Sequence, residues 1–495
     1  MKRRTFCASA VATVAAASIP WRRVLAAPEV AGASPAIGLN GKQVLLTPSD
    51  IADLRASLRG ELLLPGQDGY DGARRVWNGA FDRKPALIAR CAGAADVVQS
   101  VNFARAHALL TAVRGGGHSL SGQSVCEGGL MIDLSPMKSV QVDPISKTAR
   151  LEPGVLLGQF DREAQAFGLA TTAGTVSHTG AAGLTLGGGF GRIGRKYGLA
   201  CDNMTAAEIV TANGQFVKAN EQEHANLLWG LRGGGGNFGV VTSFEYRLHA
   251  VGPLMFGGPL LYPFEQAREV LHFFSGFIAA APDELYADAG LVPTPDGKRV
   301  LLLDICYCGS TEAGERAVKP LRDFRKPMVD GLRTVPYVDL QRSSDAVNPH
   351  GRGYYIKSGF VKRIEPAMID AVIERFSGPA PMTTLLIFAH SGGAIGRVKP
   401  EATAFLHREA NHSLVISGFW DQPADREPSM QWARTTWHAV EPMTNGFYVN
   451  EVSNENPERR VRANYGANYD RLVALKNKYD PGNLFSMNAN IKPTA

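Results

Sequence analysis

Three runs of glycine in the first half of the chain restrict its fold more than any other feature. They are residues 115–117, residues 187–191 with only Phe190 interrupting, and residues 233–236, and each lies beside a short apolar segment. Glycine lets a backbone approach a ligand closely, and successive backbone N–H groups in such turns bind anions. A tight turn would explain one run. Three runs predict a large cofactor that carries phosphate groups.

Two common phosphate-binding motifs are missing from the sequence. No G-x-G-x-x-G opens a helix in a βαβ unit, and no G-x-x-x-x-G-K-[ST] occurs. The run at residues 187–191 resembles a dinucleotide loop superficially, but it lacks the strand context with an acidic residue about 20 positions on. A nicotinamide cofactor is therefore not the first choice.

The pattern of apolar residues predicts a mixed α and β structure. It predicts strands such as 86–89, 109–113 and 130–134, helices at 94–107 and 160–167, and a hairpin at 208–217 around Asn213-Gly214. From residue 250 glycine clusters are fewer, and helices alternate with apolar strands such as 300–307 and 383–388. A helix at 465–478 ends in a turn at 479–483.

Residues 1–26 are predicted to be a twin-arginine signal peptide. Arg3 and Arg4 precede an apolar run that is too short to span a bilayer, and Val24-Leu25-Ala26 is a small-residue cleavage site. An ordinary secretory signal is the alternative. The expected location is periplasmic or secreted, and residues 27–40, rich in Ala, Pro and Gly, predict a linker.

Charge and cysteine content exclude some partners. The chain has a formal net charge of +6, and five of those positive charges lie in residues 1–26, which leaves the mature chain near +1. That value gives no reason to expect a nucleic-acid partner. No spacing of cysteines suits a zinc site, so no metal is expected. The five cysteines after the signal are predicted to be buried structural thiols.

Several motifs in order carry a family resemblance. Residues 113–119, Val-Arg-Gly-Gly-Gly-His-Ser, resemble the histidyl-flavin loop of the vanillyl-alcohol-oxidase superfamily. The whole chain resembles the berberine-bridge-enzyme-like FAD-linked oxidases. Further matching segments are residues 132–135, 151–154, 183–191, 231–241 and 479–485.

The resemblance implies an α+β fold with two domains. A PCMH-type FAD-binding domain of two α+β subdomains would comprise residues 70–249 and the closing segment 441–495. A substrate domain with an antiparallel sheet and helices would comprise residues 250–440. Residues 27–69 would be a linker and lead-in segment.

The resemblance also implies how FAD is held. His118 would be joined to the 8α-methyl carbon of the flavin, and Val176 stands where many relatives have a second linking cysteine, so a single link is expected. Thr179 would lie near the reactive face and gate oxygen, or serve only as a turn residue. The further predicted cofactor-binding residues are Arg114, Gly115, Gly116, Gly117, Ser119, Gly183, Gly187, Gly188, Gly189, Gly191, Asp202, Asn203, Gly239, Val240, Val241, Tyr448, Asn450 and Asn488.

The expected reaction is oxidation of a small organic substrate: an alcohol, phenolic, amine or sugar. A base removes a proton while hydride leaves to the flavin. Tyr448 is the first candidate and Glu451 the second, and a core aromatic is the alternative for Tyr448. Oxygen is the expected acceptor, giving hydrogen peroxide. The alternatives are a dehydrogenase that uses a quinone or cytochrome, and a non-catalytic binding protein of the cell envelope.

Overall fold

The computed structural model describes residues 32–451 and 458–494, so the predicted signal peptide lies outside the described residues. The first half of the chain alternates short strands and helices, as its sequence pattern predicts. The strands are β1 (Ser34–Ile37), β2 (Gln43–Leu46), β3 (Glu61–Leu63), β4 (Leu87–Arg90), β5 (Thr111–Arg114), β6 (Leu130–Asp133), β7 (Val140–Asp143), β8 (Thr148–Leu151), β9 (Leu169–Ala170), β10 (Met204–Val210), β11 (Phe216–Ala219), β12 (Val240–Arg247) and β13 (His249–Ala250). The helices are α1 (Pro48–Ser57), α2 (Tyr70–Arg74), α3 (Ala94–Ala106), α4 (Leu157–Gln165), α5 (Ala181–Leu186), α6 (Gly194–Tyr197), α7 (Ala200–Asn203) and α8 (Ala225–Leu231).

The first sheet is mixed and has the strand order β3-β4-β6-β5. Strand β6 is parallel to both β4 and β5. Helix α3 buries Val97, Val101 and Ala104, which recur on one helical face and pack into the core beside this sheet. Strand β3 pairs with β4, so the sheet begins at Glu61, before the predicted boundary at residue 70. Because β5 is held by this sheet, the glycine run that follows it leaves in a fixed direction.

The second sheet is antiparallel and has the strand order β11-β10-β12-β8-β7. The predicted hairpin at Asn213-Gly214 joins β10 to β11, and Gly214 has a φ of +78° that suits glycine. Strand β12 begins at Val240, just after the third glycine run. The two sheets with their helices form the two α+β subdomains that the family resemblance implies.

The second half of the chain forms an antiparallel sheet with helices packed against it. The strands are β14 (Leu254–Pro263), β15 (Leu285–Pro293), β16 (Arg299–Tyr307), β17 (Val329–Asp330), β18 (Arg333–Pro336), β19 (Gly353–Val361), β20 (Thr384–His390) and β21 (His412–Trp420). The helices are α9 (Ala267–Ala279), α10 (Thr311–Phe324), α11 (Tyr337–Arg342), α12 (Pro366–Ser377), α13 (Ala394–Arg397) and α14 (Arg426–Val440). The strand order is β17-β14-β16-β15-β20-β21-β19, with β18 beside β14. Apolar residues of α9, α12 and α14 pack into one core with one face of this sheet.

The C-terminal segment packs back onto the first half of the chain. It contains α15 (Glu458–Tyr465) and α16 (Tyr469–Tyr479). Lys476 on α16 is fully buried, and its Nζ donates to the carbonyl of Asn237 at 3.0 Å and to the carboxylate of Asp480 at 2.6 Å. The buried Phe485 joins the core beside the first sheet. Within residues 32–451 and 458–494, no helix is long and apolar enough to cross a membrane.

The N-terminal segment is more ordered than its composition suggests. Strands β1 and β2 pair antiparallel, and the N–H of Ile37 donates to the carbonyl of Gly128 at 2.8 Å. The prediction of a linker as far as residue 40 is therefore wrong for residues 34–40. Composition does not reveal this hairpin because strand pairing uses backbone groups, which every residue has. The buried side chains of Ala36 and Leu46 then hold the hairpin against the core.

Candidate active site

All three glycine runs line one cavity of about 960 Å³. Residues 115–117 follow β5, residues 187 and 191 follow α5, and residues 235 and 236 precede β12. The antiparallel sheet of the second half supplies other lining residues, including Asp288, Ile387 and Val415. The cavity therefore lies between the two halves of the chain, and its size suits a cofactor or small-molecule site.

The glycines that line the cavity have two kinds of surroundings. At Gly116 a Cβ would lie 2.4 Å from the Cα of Gly180, so the two backbones pack too closely for any side chain. At Gly183 and Gly236 a Cβ would meet no protein atom within 4 Å, although both residues line the cavity. A side chain at either position would extend into open space. The backbone there is thus exposed to whatever fills the cavity.

His118 lines the same cavity, just after the first glycine run. Its ring stacks on Trp77 with 4.2 Å between centroids, and Trp77 stacks on Tyr354 at 4.0 Å. The Nε2 atom of His118 is buried and has no hydrogen-bond partner among the residues that the structure describes. Burial, and then the neighbouring His178 and His350, lower the pKa of His118 to about 3. The imidazole is therefore neutral at physiological pH and has a free nitrogen.

Val176 itself has no nucleophilic atom for a second cofactor link. Val176 lines the cavity, and its carbonyl accepts the N–H of Thr179, another lining residue, at 3.2 Å. All five cysteines within the described part of the chain are buried free thiols, as the sequence predicts. Neither Cys126 nor Cys201 lines the cavity.

The structure brings most of the predicted site residues to this cavity. In addition to His118, the predicted residues that line it are Gly115, Gly116, Gly117, Ser119, Thr179, Gly183, Gly187, Gly191, Gly239, Val240, Val241, Tyr448, Asn450, Glu451 and Asn488.

Five predicted residues do not line the cavity, and three of them have structural partners that explain why. The Arg114 guanidinium donates to the carbonyl of Ala73. Asp202 forms a bidentate ion pair with the buried Arg408, whose two terminal guanidinium nitrogens lie 2.7 and 2.8 Å from the two carboxylate oxygens. The Asn203 amide donates to two backbone carbonyls. These side chains stabilise the walls of the cavity, and their predicted contact with the cofactor stays a prediction. The other two residues are Gly188 and Gly189.

Tyr448 is held in place by two donors. Its hydroxyl oxygen accepts the N–H of Gly189 at 2.9 Å and the side-chain amide of Asn450 at 2.9 Å. The same amide donates to the carbonyl of Leu184 at 3.1 Å. Burial is the main cause that raises the pKa of Tyr448 above its usual value of 10. The phenol is therefore neutral and fixed in position.

Glu451 is a carboxyl group that titrates near neutral pH. Burial is the main cause that raises its pKa from 4.5 to about 7, and nearby Asp288 raises it further. The hydroxyl of Ser413 donates to its carboxylate at 3.3 Å. A carboxyl whose pKa lies near the working pH is suited to general base catalysis.

Asp288 on β15 and Asp304 on β16 also line the cavity, and sequence reasoning missed both. Asp288 accepts the hydroxyl of Tyr286 at 2.5 Å and the N–H of His390 at 2.7 Å, while burial raises its pKa to about 7. Asp304 pairs with the buried Arg192 at 2.5 Å. The sequence signal that could have identified them is a charged residue in the middle of an apolar strand, since a buried carboxylate needs a partner or a function.

Comparison with known proteins agrees with this geometry. Residues 85–220 match the family model described as an FAD binding domain, and residues 447–492 match the one described as berberine and berberine like. An FAD-linked oxidoreductase of Dictyostelium discoideum is 32% identical, over 88% of this chain and 95% of that protein. The (R)-6-hydroxynicotine oxidase of Paenarthrobacter nicotinovorans is 31% identical, over 88% of this chain and 97% of that protein. The chain belongs to the berberine-bridge-like family of FAD-linked oxidoreductases.

Solved structures of family members share the fold. The crystal structure of 6-hydroxy-D-nicotine oxidase from Arthrobacter nicotinovorans superposes with a TM-score of 0.81 at 28% identity, over 88% of this chain and 99% of that chain. A chitooligosaccharide oxidase gives a TM-score of 0.80 at 26% identity, over 90% of this chain and all of that chain. These matches confirm the predicted α+β architecture with a PCMH-type FAD-binding domain.

The cavity fits the FAD of this family on three observations. The backbone at Gly183 and Gly236 is open to it, the Nε2 of His118 is buried without a partner among the described residues, and so is the Oδ1 of Asn488. Buried polar atoms of this kind are normally satisfied, so a bound ligand is the expected partner. No group of three or more His, Cys, Asp or Glu in the described residues is placed to hold a metal ion.

Proposed function

We propose that this protein is an oxidase that takes hydride from a small organic substrate into FAD linked to His118, with oxygen as the final acceptor and hydrogen peroxide as product. One observation carries the proposal. A single cavity is lined by the glycine cradle, by a neutral histidine whose Nε2 has no hydrogen-bond partner among the described residues, and by Glu451, whose pKa is about 7. Cofactor attachment and substrate oxidation thus have their chemical groups in one place.

The state of His118 supports the proposed covalent link. A neutral imidazole is a nucleophile, and the low pKa of His118 keeps it in that form. Stacking on Trp77 fixes the ring plane, which reduces the entropy that attachment must overcome. Val176 offers no second nucleophile, so the proposed link is single.

We assign the base role to Glu451 rather than to Tyr448. Bound FAD supplies a two-electron acceptor for the hydride of the substrate. Glu451 is ionised in a large fraction of molecules at neutral pH, so it accepts the substrate proton. The Tyr448 hydroxyl keeps its proton because burial raises its pKa, and its two donors orient it as a fixed wall of the cavity.

Oxygen as acceptor is supported by the small side chain of Thr179 in the lining and by the oxidase names of relatives. Those relatives are named for a hydroxynicotine and for chitooligosaccharides. An amine and a sugar therefore belong in the substrate panel, beside an alcohol and a phenolic.

The test measures flavin bleaching and oxygen consumption with each member of the panel. The proposal expects one class to bleach the flavin without oxygen, and to consume oxygen and release peroxide in air. Bleaching with no oxygen uptake, followed by electron transfer to an added quinone or cytochrome, would identify a dehydrogenase instead. A purified protein without flavin colour would support a binding protein.

A further inference from the structure

Three histidine rings form a row from the cavity wall to the protein surface. The ring centroids of His118 and His178 are 5.1 Å apart, and those of His178 and His350 are 4.7 Å apart. His118 lines the cavity, His178 is half-buried and His350 is exposed. They come from separate segments, so the fold assembles the row.

His178, the middle ring of the row, makes no hydrogen bond within the described residues that would give it a structural role. Both ring nitrogens of His178 are buried and lack a hydrogen-bond partner within the described ranges, as does the Nε2 of His118. A buried nitrogen left without a partner destabilises the folded state. A histidine that served only to pack would be expected to satisfy at least one nitrogen. His178 instead keeps a lone pair available to accept a proton.

The charged groups around the row leave the rings free to carry a proton briefly. Partial burial, then His178 and Arg114, lower the pKa of His350. The nearby carboxylate of Asp345 is occupied by the backbone N–H of Ser177 at 2.8 Å and by its hydroxyl at 2.5 Å. A proton placed on His350 is therefore released readily to solvent.

We propose that His178 accepts the proton that His118 loses when it is joined to FAD, and that His350 passes this proton to solvent. The inference rests on the covalent link proposed above. In the balanced step, the imidazole N–H bond and one C–H bond of the 8α-methyl group break and the N–C bond forms. Molecular oxygen takes up the two electrons and becomes hydrogen peroxide with two protons. His178 is thus a relay residue for attachment and has no assigned part in substrate turnover.

The experiment measures the rate at which FAD becomes covalently attached to the protein. Full-length protein from flavin-starved cells is mixed with FAD in air, and the flavin that survives acid precipitation is measured over time beside total bound FAD. We expect His178→Gln to bind FAD but to attach it about a hundredfold more slowly, the usual size of a lost proton-transfer group. His178→Ala should be equally slow and should recover with added imidazole. The control is His438→Gln, whose ring is exposed on α14.

The outcomes separate the relay from the link itself. A wild-type protein that never retains flavin would overturn both. A wild-type protein that links FAD, with His178→Gln equally fast, would overturn the relay alone. Failure of imidazole to rescue His178→Ala would assign His178 a packing role, which also overturns it. Should His178→Gln not bind FAD, the exposed His350→Gln decides, because an unchanged attachment rate there contradicts the exit path.

Discussion

Replacing Glu451 with glutamine should stabilise the protein while it slows the reaction. Burial raises the pKa of this carboxyl from 4.5 to about 7, so its ionised form is disfavoured in the folded state. A rise of that size corresponds to about 3 kcal/mol. Since part of the side chain faces the cavity, water there lowers the expected figure to about 1–3 kcal/mol.

The size of the stability difference depends on pH. Well below pH 4.5 the carboxyl is protonated in both the folded and the unfolded chain, so Glu451 and glutamine should be equivalent. As pH rises from 4.5 to about 7, the unfolded chain loses the proton first, and the wild type loses stability relative to Glu451→Gln. Above pH 7 the full difference is present.

The assay is denaturant unfolding of wild type and Glu451→Gln at pH 4.5 and pH 8, followed by tryptophan fluorescence. We expect a higher midpoint for the variant at pH 8 and nearly equal midpoints at pH 4.5, where the carboxyl is half ionised in the unfolded chain and protonated in the folded one. Turnover should fall about 10²–10⁴-fold, as for other lost general bases. The control is Glu374→Gln, an exposed carboxyl on α12. A variant less stable than wild type at pH 8 would contradict the raised pKa of Glu451, and unchanged turnover would contradict its role as the base.

Three further predictions concern loading and export. Deleting residues 479–495 removes Asp480, the partner of buried Lys476, and the cavity residue Asn488, so flavin incorporation should be abolished. Gly183→Phe should block FAD binding by filling the cavity, whereas Gly276→Phe on an open part of α9 should not, as measured by the ratio of visible to protein absorbance. Replacing Arg3 and Arg4 with lysine should stop export of the folded protein, as measured by cell fractionation.

Each of these predictions has a clear contrary result. A truncated protein that stays yellow and stable would contradict the role given to the C-terminal segment. Normal flavin content in Gly183→Phe would show that FAD lies elsewhere. Unchanged export of the double-lysine variant would exclude the twin-arginine pathway.

The sequence predicts the FAD half of the molecule well because its motifs depend on backbone geometry. The glycine runs mark segments whose backbone must approach a neighbour closely, and the structure shows such an approach at Gly116, which packs against Gly180. Asp480 in the closing motif also has a local structural reason, because it forms a buried ion pair with Lys476 four residues earlier. Local constraints of this kind require particular residue types at particular positions, so they can be recognised as motifs in the sequence.

The site residues of the second half are harder to predict because they come from long-range strand pairing. Asp288 and Asp304 lie opposite each other only because β15 pairs with β16 in the observed register. Asp202 shows the converse, since its motif suggested a cofactor ligand whereas a distant residue, Arg408, pairs with it. Which side of a wall a side chain faces depends on packing partners far away in sequence.

The attachment of flavin to His118 is tested most directly by mass analysis of the flavin-carrying peptide from wild-type protein precipitated in acid. We expect flavin to survive precipitation and fragmentation to place its full mass on His118. We also expect His118→Ala to bind some FAD but to release all of it on precipitation. Flavin extracted completely from the wild type, or found as a thioether on Cys126 or Cys201, would show that His118 does not hold the cofactor covalently.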